Sequence, residues 1–84
     1  MNICFVKQSW EDYNYWALND KKIFLRLQSL IKETLRDPYG GIGKPEALKA
    51  NLIGYWSKRI DHEHRLVYKV DNDNLIIISC RFHY

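Results

Sequence analysis

With 84 residues the chain has room for one domain around one hydrophobic core and excludes a second. A composition of 46% hydrophobic and 27% charged residues excludes a disordered or low-complexity chain. The formal net charge of +3 is too small to establish nucleic-acid binding by itself, so the placement of the charges matters more than their sum.

In chain order, "NICFV" (residues 2–6) is short, apolar and rich in strand formers, and predicts a first strand. Ser9 reads as a helix N-cap with Glu11 and Asp12 in the first turn. Trp10, Tyr13, Trp16 and Ala17 then fall at helical spacing and predict an aromatic stripe packed in the core. Asp20 caps a second, longer helix in which Ile23, Leu27, Leu30, Ile31 and Thr34 recur at i, i+4, i+7 and i+8, ending before "RDPYGG". The run "DPYGGIGKPEALKAN" (37–51) holds three of the four glycines and both prolines, and predicts a long surface loop with room for one helical turn. Three strands follow at 54–60, 64–70 and 75–84, the last two joined as a hairpin through "DNDN".

Side-chain alternation sorts these strands into two faces. Trp56, Ile60, Leu66, Tyr68, Val70, Ile76, Ile78, Cys80 and Phe82 form the expected core face, with Lys58 its one misfit. The other parity collects Tyr55, Ser57, Arg59, Arg65, Val67, Lys69, Ser79, Arg81 and His83, a cationic surface to which these strands contribute no acid. A solvated sheet face normally carries mixed charge, and directly opposed like charges destabilise a sheet. Concentrated arginines therefore point to an anion, phosphate above all, and Tyr55 and Tyr84 could stack on bases of a single strand.

RNA can be cut without a metal if one group takes the proton of the ribose 2′-OH, another steadies charge at phosphorus and a third protonates the departing 5′-oxygen. His83 suits the acid, since imidazole titrates near neutrality and the Tyr84 α-carboxylate favours its charged form. Glu46, between Lys44 and Lys49, suits the base. Arg65, with Arg59 and Lys49, suits the phosphate. Each has a plain structural alternative: Glu46 as the start of a helical turn after Pro45, and Arg59 and Arg65 as surface partners of Asp61 or Glu63. His62, His64 and His83 do not match a recognised metal-ligand spacing. Cys4 and Cys80 read as buried free thiols rather than a disulfide.

The longest apolar run, "LIIIS", is far short of the roughly 20 residues of a membrane span, and "MNICFVKQSW" lacks the basic start and apolar body of a signal peptide. This predicts a cytoplasmic protein with no membrane contact.

Together, "GKPEALK", "LIGYWSKRID", "EHRLVYKV" and "CRFHY" resemble the YoeB branch of the RelE-type bacterial toxins, and the resemblance runs over essentially the whole chain. It implies an α+β fold in β-α-α-β-β-β order: a twisted, mainly antiparallel sheet packed on two N-terminal helices. It also implies a ribosome-dependent endoribonuclease, without a cofactor, that cuts mRNA in the decoding A site and stops translation. By motif, Glu46 would be general base, Arg65 would stabilise the phosphate and His83 would be general acid, with Tyr84, Arg59 and Lys49 assisting. Implied partners are the ribosome and mRNA, a YefM-like antitoxin whose C-terminal segment folds on binding, operator DNA only through that antitoxin, and a second copy in a homodimer. Three departures, Ala47 for a common proline, Lys58 for arginine and Phe82 for tyrosine, bear on specificity and touch no proton carrier. The rivals are a non-catalytic RNA- or protein-binding module using the same cationic face, and a ribonuclease acting on naked RNA. If the free carboxylate beside His83 contributes, an extension after Tyr84 depresses activity where an N-terminal tag does not.

Overall fold

The computed structural model describes residues 1–82; the expectations placed on His83 and Tyr84 lie outside the described residues. Strand β1 (Asn2–Phe5) leads into helices α1 (Lys7–Asn19) and α2 (Lys21–Arg36), then β2 (Glu46–Ala47), a 3₁₀ turn (Ala50–Leu52), β3 (Trp56–Arg59), β4 (Arg65–Asp71) and β5 (Asn74–Ser79). The sheet order is β1-β5-β4-β3-β2, with β1 parallel to β5 and every other pair antiparallel. The α+β class and the two-helix-then-sheet order agree with the sequence; the two-residue β2 is an addition. Among the described residues, no helix is long and apolar enough to cross a membrane.

Helix α2 forms as its sequence dictates. The Asp20 side chain accepts a hydrogen bond from the Ile23 amide at 3.1 Å, supplying a partner for one of the free N–H groups of the first turn. Leu27, Leu30, Ile31 and Thr34 are buried on one stripe, and the three aliphatics share a single core cluster with Leu66, Tyr68, Leu75 and Ile77 of the sheet. Each such fully buried aliphatic contributes about 1.5–3 kcal/mol by leaving water.

Helix α1 departs from expectation. It begins at Lys7 with Val6 at its N-cap position, so Ser9 is not the cap. Instead Ser9 is fully buried and its hydroxyl reaches the carbonyl of Ile77 in β5 at 2.6 Å, tying helix to sheet. The buried face of α1 is Ser9, Asp12 and Trp16, whereas Ala17 is exposed and Trp10 is 53% exposed. Trp10 stacks on Tyr13 with its ring centroid 6.0 Å away and edges onto Phe5 at 5.6 Å. The stripe is thus an aromatic ladder at the sheet margin, with Trp16 alone fully in the core.

The hairpin closes with Asp71 opposite Asn74, and Asn72 takes a left-handed φ of 57°, a conformation Asn tolerates better than most residues. A β-bulge corrects the sorting of β5. Tyr68 pairs with Ile77 but Val67 pairs with Ser79, so Ile78 is an extra residue and the facing of β5 reverses there. Leu75 and Ile77 therefore form the core instead of Ile76 and Ile78, while Cys80, beyond the bulge, is again fully buried. The strand ends at Ser79, well short of the expected extent, and Phe82 is exposed rather than in the core. Cys4, in register with Ile76 on the face away from the helices, is exposed rather than buried; both cysteines are free.

The loop 37–45 is pinned to the sheet. The buried Lys58 ammonium donates to the Asp37 carbonyl at 3.2 Å, and the Tyr68 hydroxyl donates to the Pro38 carbonyl. Burial lowers the Lys58 pKa from its ordinary value against the opposing pull of Asp37 and Glu33. Gly43, at φ 92°, accepts from the Arg59 amide; a Cβ there would lie 2.9 Å from Leu30 Cδ2 and 3.0 Å from Lys58 Cβ, so no larger residue fits.

Candidate functional site

The sheet face away from the helices carries its side chains in cross-strand rows. One row runs Glu46–Ser57–Val67–Ser79 across β2, β3, β4 and β5. A neighbouring row places Arg59 directly opposite Arg65. On the other side, Lys69 sits opposite Ile76, its ammonium 5.3 Å from the centroid of the Tyr55 ring. Ser57 and Val67, expected on an open surface, are buried; their short side chains reach less far than the Arg, Lys and Tyr chains of the flanking rows.

The decisive element is β2. Sequence alternation assigns no acid to this face, and the plain alternative for Glu46 is a helical turn. Pairing of Glu46 with Ser57 makes it a strand residue and puts its side chain on the cationic face, one row from the two arginines. The next residues return through the Leu48 amide, bonded to the Tyr55 carbonyl at 3.0 Å, to the 3₁₀ turn, leaving Lys49 exposed beside Glu46. Lys44 is exposed just before Pro45 at φ 51°.

Arg65 is held firmly. One guanidinium nitrogen donates to the Asp61 carbonyl at 2.8 Å and to the His64 carbonyl at 3.1 Å. The alternative ion pair with Asp61 or Glu63 does not form; the Asp61 carboxylate accepts the amides of Glu63 at 2.8 Å and His64 at 2.7 Å. Neither Arg59 nor Arg65 has a carboxylate partner among the described residues. Two arginines at opposed strand positions, unpaired with any carboxylate among the described residues and one row from Glu46, can bind a phosphodiester and move a proton next to it.

The Asp61 turn gives a pH signature. Burial alone would push its carboxyl up, but the His64 and Glu63 amides, with the fields of His64 and His62, hold it below the ordinary carboxylate value. A lowered folded-state pKa contributes stability that is present above the unfolded value and lost as pH falls through the folded one. The melting temperature of wild type therefore drops below about pH 4, and Asp61→Asn, which keeps an acceptor oxygen but cannot titrate, flattens this part of the drop in a thermal-melt series across pH.

Arg81 does not join Arg59 and Arg65. Its guanidinium carbon lies 3.4 Å from the Tyr15 ring centroid and 4.5 Å from that of Phe82, so the cation is packed against α1. Three residues to which the sequence reading gave no part in the site hold the segment that leads to His83. Asp12 accepts from the Cys80 amide at 3.0 Å, Trp16 donates its indole N–H to the Cys80 carbonyl at 2.9 Å, and His64 Nδ1 accepts from the Phe82 amide at 2.8 Å. Polar residues at 9 and 12 in register with Trp16 were the available signal: a buried helix face carrying polar groups implies tertiary hydrogen bonds.

Known proteins resemble this chain over its whole length. Residues 5–84 match the model of a family described as YoeB-like toxin of bacterial type II toxin–antitoxin system. Toxin YoeB of Synechocystis sp. is 60% identical over 84 residues, covering 100% of this chain and 98% of that protein. The structure of a YoeB/ParE toxin from Agrobacterium tumefaciens superposes with a TM-score of 0.97 at 43% identity, with 100% of both chains covered. The YoeB dimer and the heterotetrameric YoeB–YefM complex from Staphylococcus aureus each give a TM-score of 0.92 at 52% identity, covering 100% of this chain and 98% of theirs. With the family model matched over nearly the whole length, the chain belongs to the YoeB-like toxins of bacterial type II toxin–antitoxin systems.

Proposed function

We propose that this toxin is a single-domain, cytoplasmic, ribosome-dependent endoribonuclease that cuts mRNA by general acid–base catalysis. The observation that carries the reading is the β2–β3 pairing, which sets Glu46 on the same face as the opposed Arg59 and Arg65. Glu46 takes the proton from a ribose 2′-OH, and the freed oxygen attacks the adjacent phosphorus. Arg65, held by two carbonyls, and Arg59 bear the charge that builds on the phosphorane, where preorganised donors are most effective. His83 gives its proton to the departing 5′-oxygen, leaving a 2′,3′-cyclic phosphate and a 5′-hydroxyl. Lys44 and Lys49 approach the RNA backbone, Tyr55 offers a ring to a base, and Tyr84 assists beside His83. These roles need no metal or cofactor.

The assembly partners follow from the relatives. We assign the toxin a YefM-like antitoxin and a homodimeric form, supported by the Staphylococcus aureus YoeB dimer and YoeB–YefM complex at 52% identity; that the antitoxin covers this face, and that operator DNA is met only through it, are further parts of the proposal.

The test is purified toxin incubated with one mRNA, with and without ribosomes, its products mapped to the nucleotide. Cleavage confined to the ribosome-bound message, leaving 2′,3′-cyclic ends, is the expected result. Equal cleavage of naked RNA refutes ribosome dependence, and binding without cleavage in either arm refutes the enzymatic reading in favour of a binding module.

A further inference from the structure

We propose that His64, Asp12 and Trp16 are positioning residues that clamp the backbone of residues 80–82 and so fix the peptide from which the catalytic His83 departs. The inference rests on the ribonuclease reading above.

Beyond the end of β5, residues 80–82 leave the regular strand ladder, yet four of their backbone groups are individually matched. The Cys80 amide goes to Asp12, the Cys80 carbonyl to Trp16 and the Phe82 amide to His64, while the Phe82 carbonyl accepts from the Arg65 amide at 3.1 Å. Three of these four partners are side chains from α1 and from the 60–64 turn, and all three are buried. Burying a carboxylate and an imidazole to end a strand is an expensive arrangement when water would satisfy the same groups. Such expense fits a segment whose direction matters. Phe82 also takes a φ of 65°, which a bulky residue adopts only where its surroundings enforce it.

The clamp also fixes Phe82, the residue before the acid, relative to the phosphate site. The Phe82 carbonyl is bonded to the backbone of Arg65, and the His64 carbonyl to the guanidinium of Arg65. One residue thus registers both ends: His64 holds the amide of Phe82 through its ring and the side chain of Arg65 through its carbonyl. The ring is wedged edge-on against Trp16, with centroids 4.7 Å apart, and Phe82 lies 5.7 Å away on another side. Because Nδ1 accepts from the Phe82 amide, the neutral ring carries its proton on Nε2, 3.7 Å from a Glu63 carboxylate oxygen, and what His64 contributes to residue 82 is position. A displacement of about 1 Å between reacting groups costs on the order of 100-fold in rate.

Asparagine can place its amide oxygen near the position of Nδ1, whereas leucine cannot accept at all. The experiment compares wild type, His64→Asn and His64→Leu in ribosome-bound mRNA cleavage and, without RNA, in hydrogen exchange at the Phe82 amide, with Tyr68 as internal control. His64→Leu is expected to lower kcat about 100-fold with KM within about threefold. It also strips the Phe82 amide of at least about tenfold of its protection and leaves Tyr68 unchanged. His64→Asn recovers both readouts to within about tenfold of wild type. Wild-type kcat in His64→Leu, or equal losses in both variants, overturns the proposal. Should His64→Leu unfold, Trp16→Phe removes the indole donor together with some buried ring volume; a kcat at least about tenfold lower with Tyr68 protection unchanged supports the clamp, and an unchanged kcat refutes it. If wild type cuts no RNA, the ribonuclease reading fails, and the exchange data alone decide whether the clamp exists.

Discussion

Arg65→Ala lowers the rate of mRNA cleavage on the ribosome by about 10²–10³-fold, the range typical of removing a preorganised donor from a developing oxyanion. The guanidinium is anchored by the Asp61 and His64 carbonyls through one nitrogen, so its position is set before substrate arrives. Its charge is not spent on a carboxylate among the described residues: neither Glu63 nor Asp61 pairs with it, and Asp61 accepts two backbone amides. Arg65→Lys recovers little of the loss, because an ammonium on a flexible stem reproduces the charge but not the rigid fork. Stability moves far less. Removing one of two directly opposed cations relieves repulsion, while the lost carbonyl contacts cost about 1 kcal/mol. Single-turnover cleavage paired with thermal melts separates these effects. Cleavage by Arg65→Ala within threefold of wild type would remove Arg65 from the phosphate site.

Local signals in the sequence specify the parts of this fold that depend on local energetics. The Asp20 cap, the Leu27–Leu30–Ile31–Thr34 stripe and the Asn72 turn each follow from neighbours within one or two turns of chain, and each is present. Lys58 was legible as a misfit on the apolar parity, and it is buried against a carbonyl of the long loop. Failures arise where a distant partner decides. The β5 bulge reverses facing at Ile78 because Val67 pairs with Ser79, and a perfect apolar run cannot show which of its residues is extra. Ser9 looks like a cap until Ile77 is placed beside it. Trp10 matches the helical period but sits at the sheet margin, a matter of how α1 lies on the sheet.

Legibility of the site follows the same division. Arg59 and Arg65 share a face by simple alternation, and the register confirms it. Arg81 was sorted with them on the assumption that β5 continues; the strand stops at Ser79, and the cation turns onto Tyr15 instead. Glu46 illustrates the opposite error. A two-residue strand carries too little pattern to detect, yet it converts a loop acid into a residue of the cationic face.

If Glu46 is the base and His83 the acid of one concerted displacement, Glu46→Gln and His83→Gln each lower cleavage by about 10²–10⁴-fold, and the double variant falls well short of the product of the two losses. Both groups act on the same transition state. Once the 2′-oxygen is no longer deprotonated efficiently, protonation of the leaving oxygen ceases to limit the rate. Their pH profiles separate the roles. A base must be ionised, so wild-type activity falls on the acid side as Glu46 takes a proton, and Glu46→Gln removes that limb. An acid must be protonated, so the alkaline limb belongs to His83 and disappears in His83→Gln. Both substitutions keep side-chain size and leave Arg59 and Arg65 in place, so association with ribosomes stays within about threefold of wild type. A purely RNA-binding face predicts the reverse, with binding tracking the arginines and neither substitution altering a reaction. Two losses that multiply in full would mean that Glu46 and His83 serve separate steps, and two variants with unchanged pH limbs would deny both residues a proton.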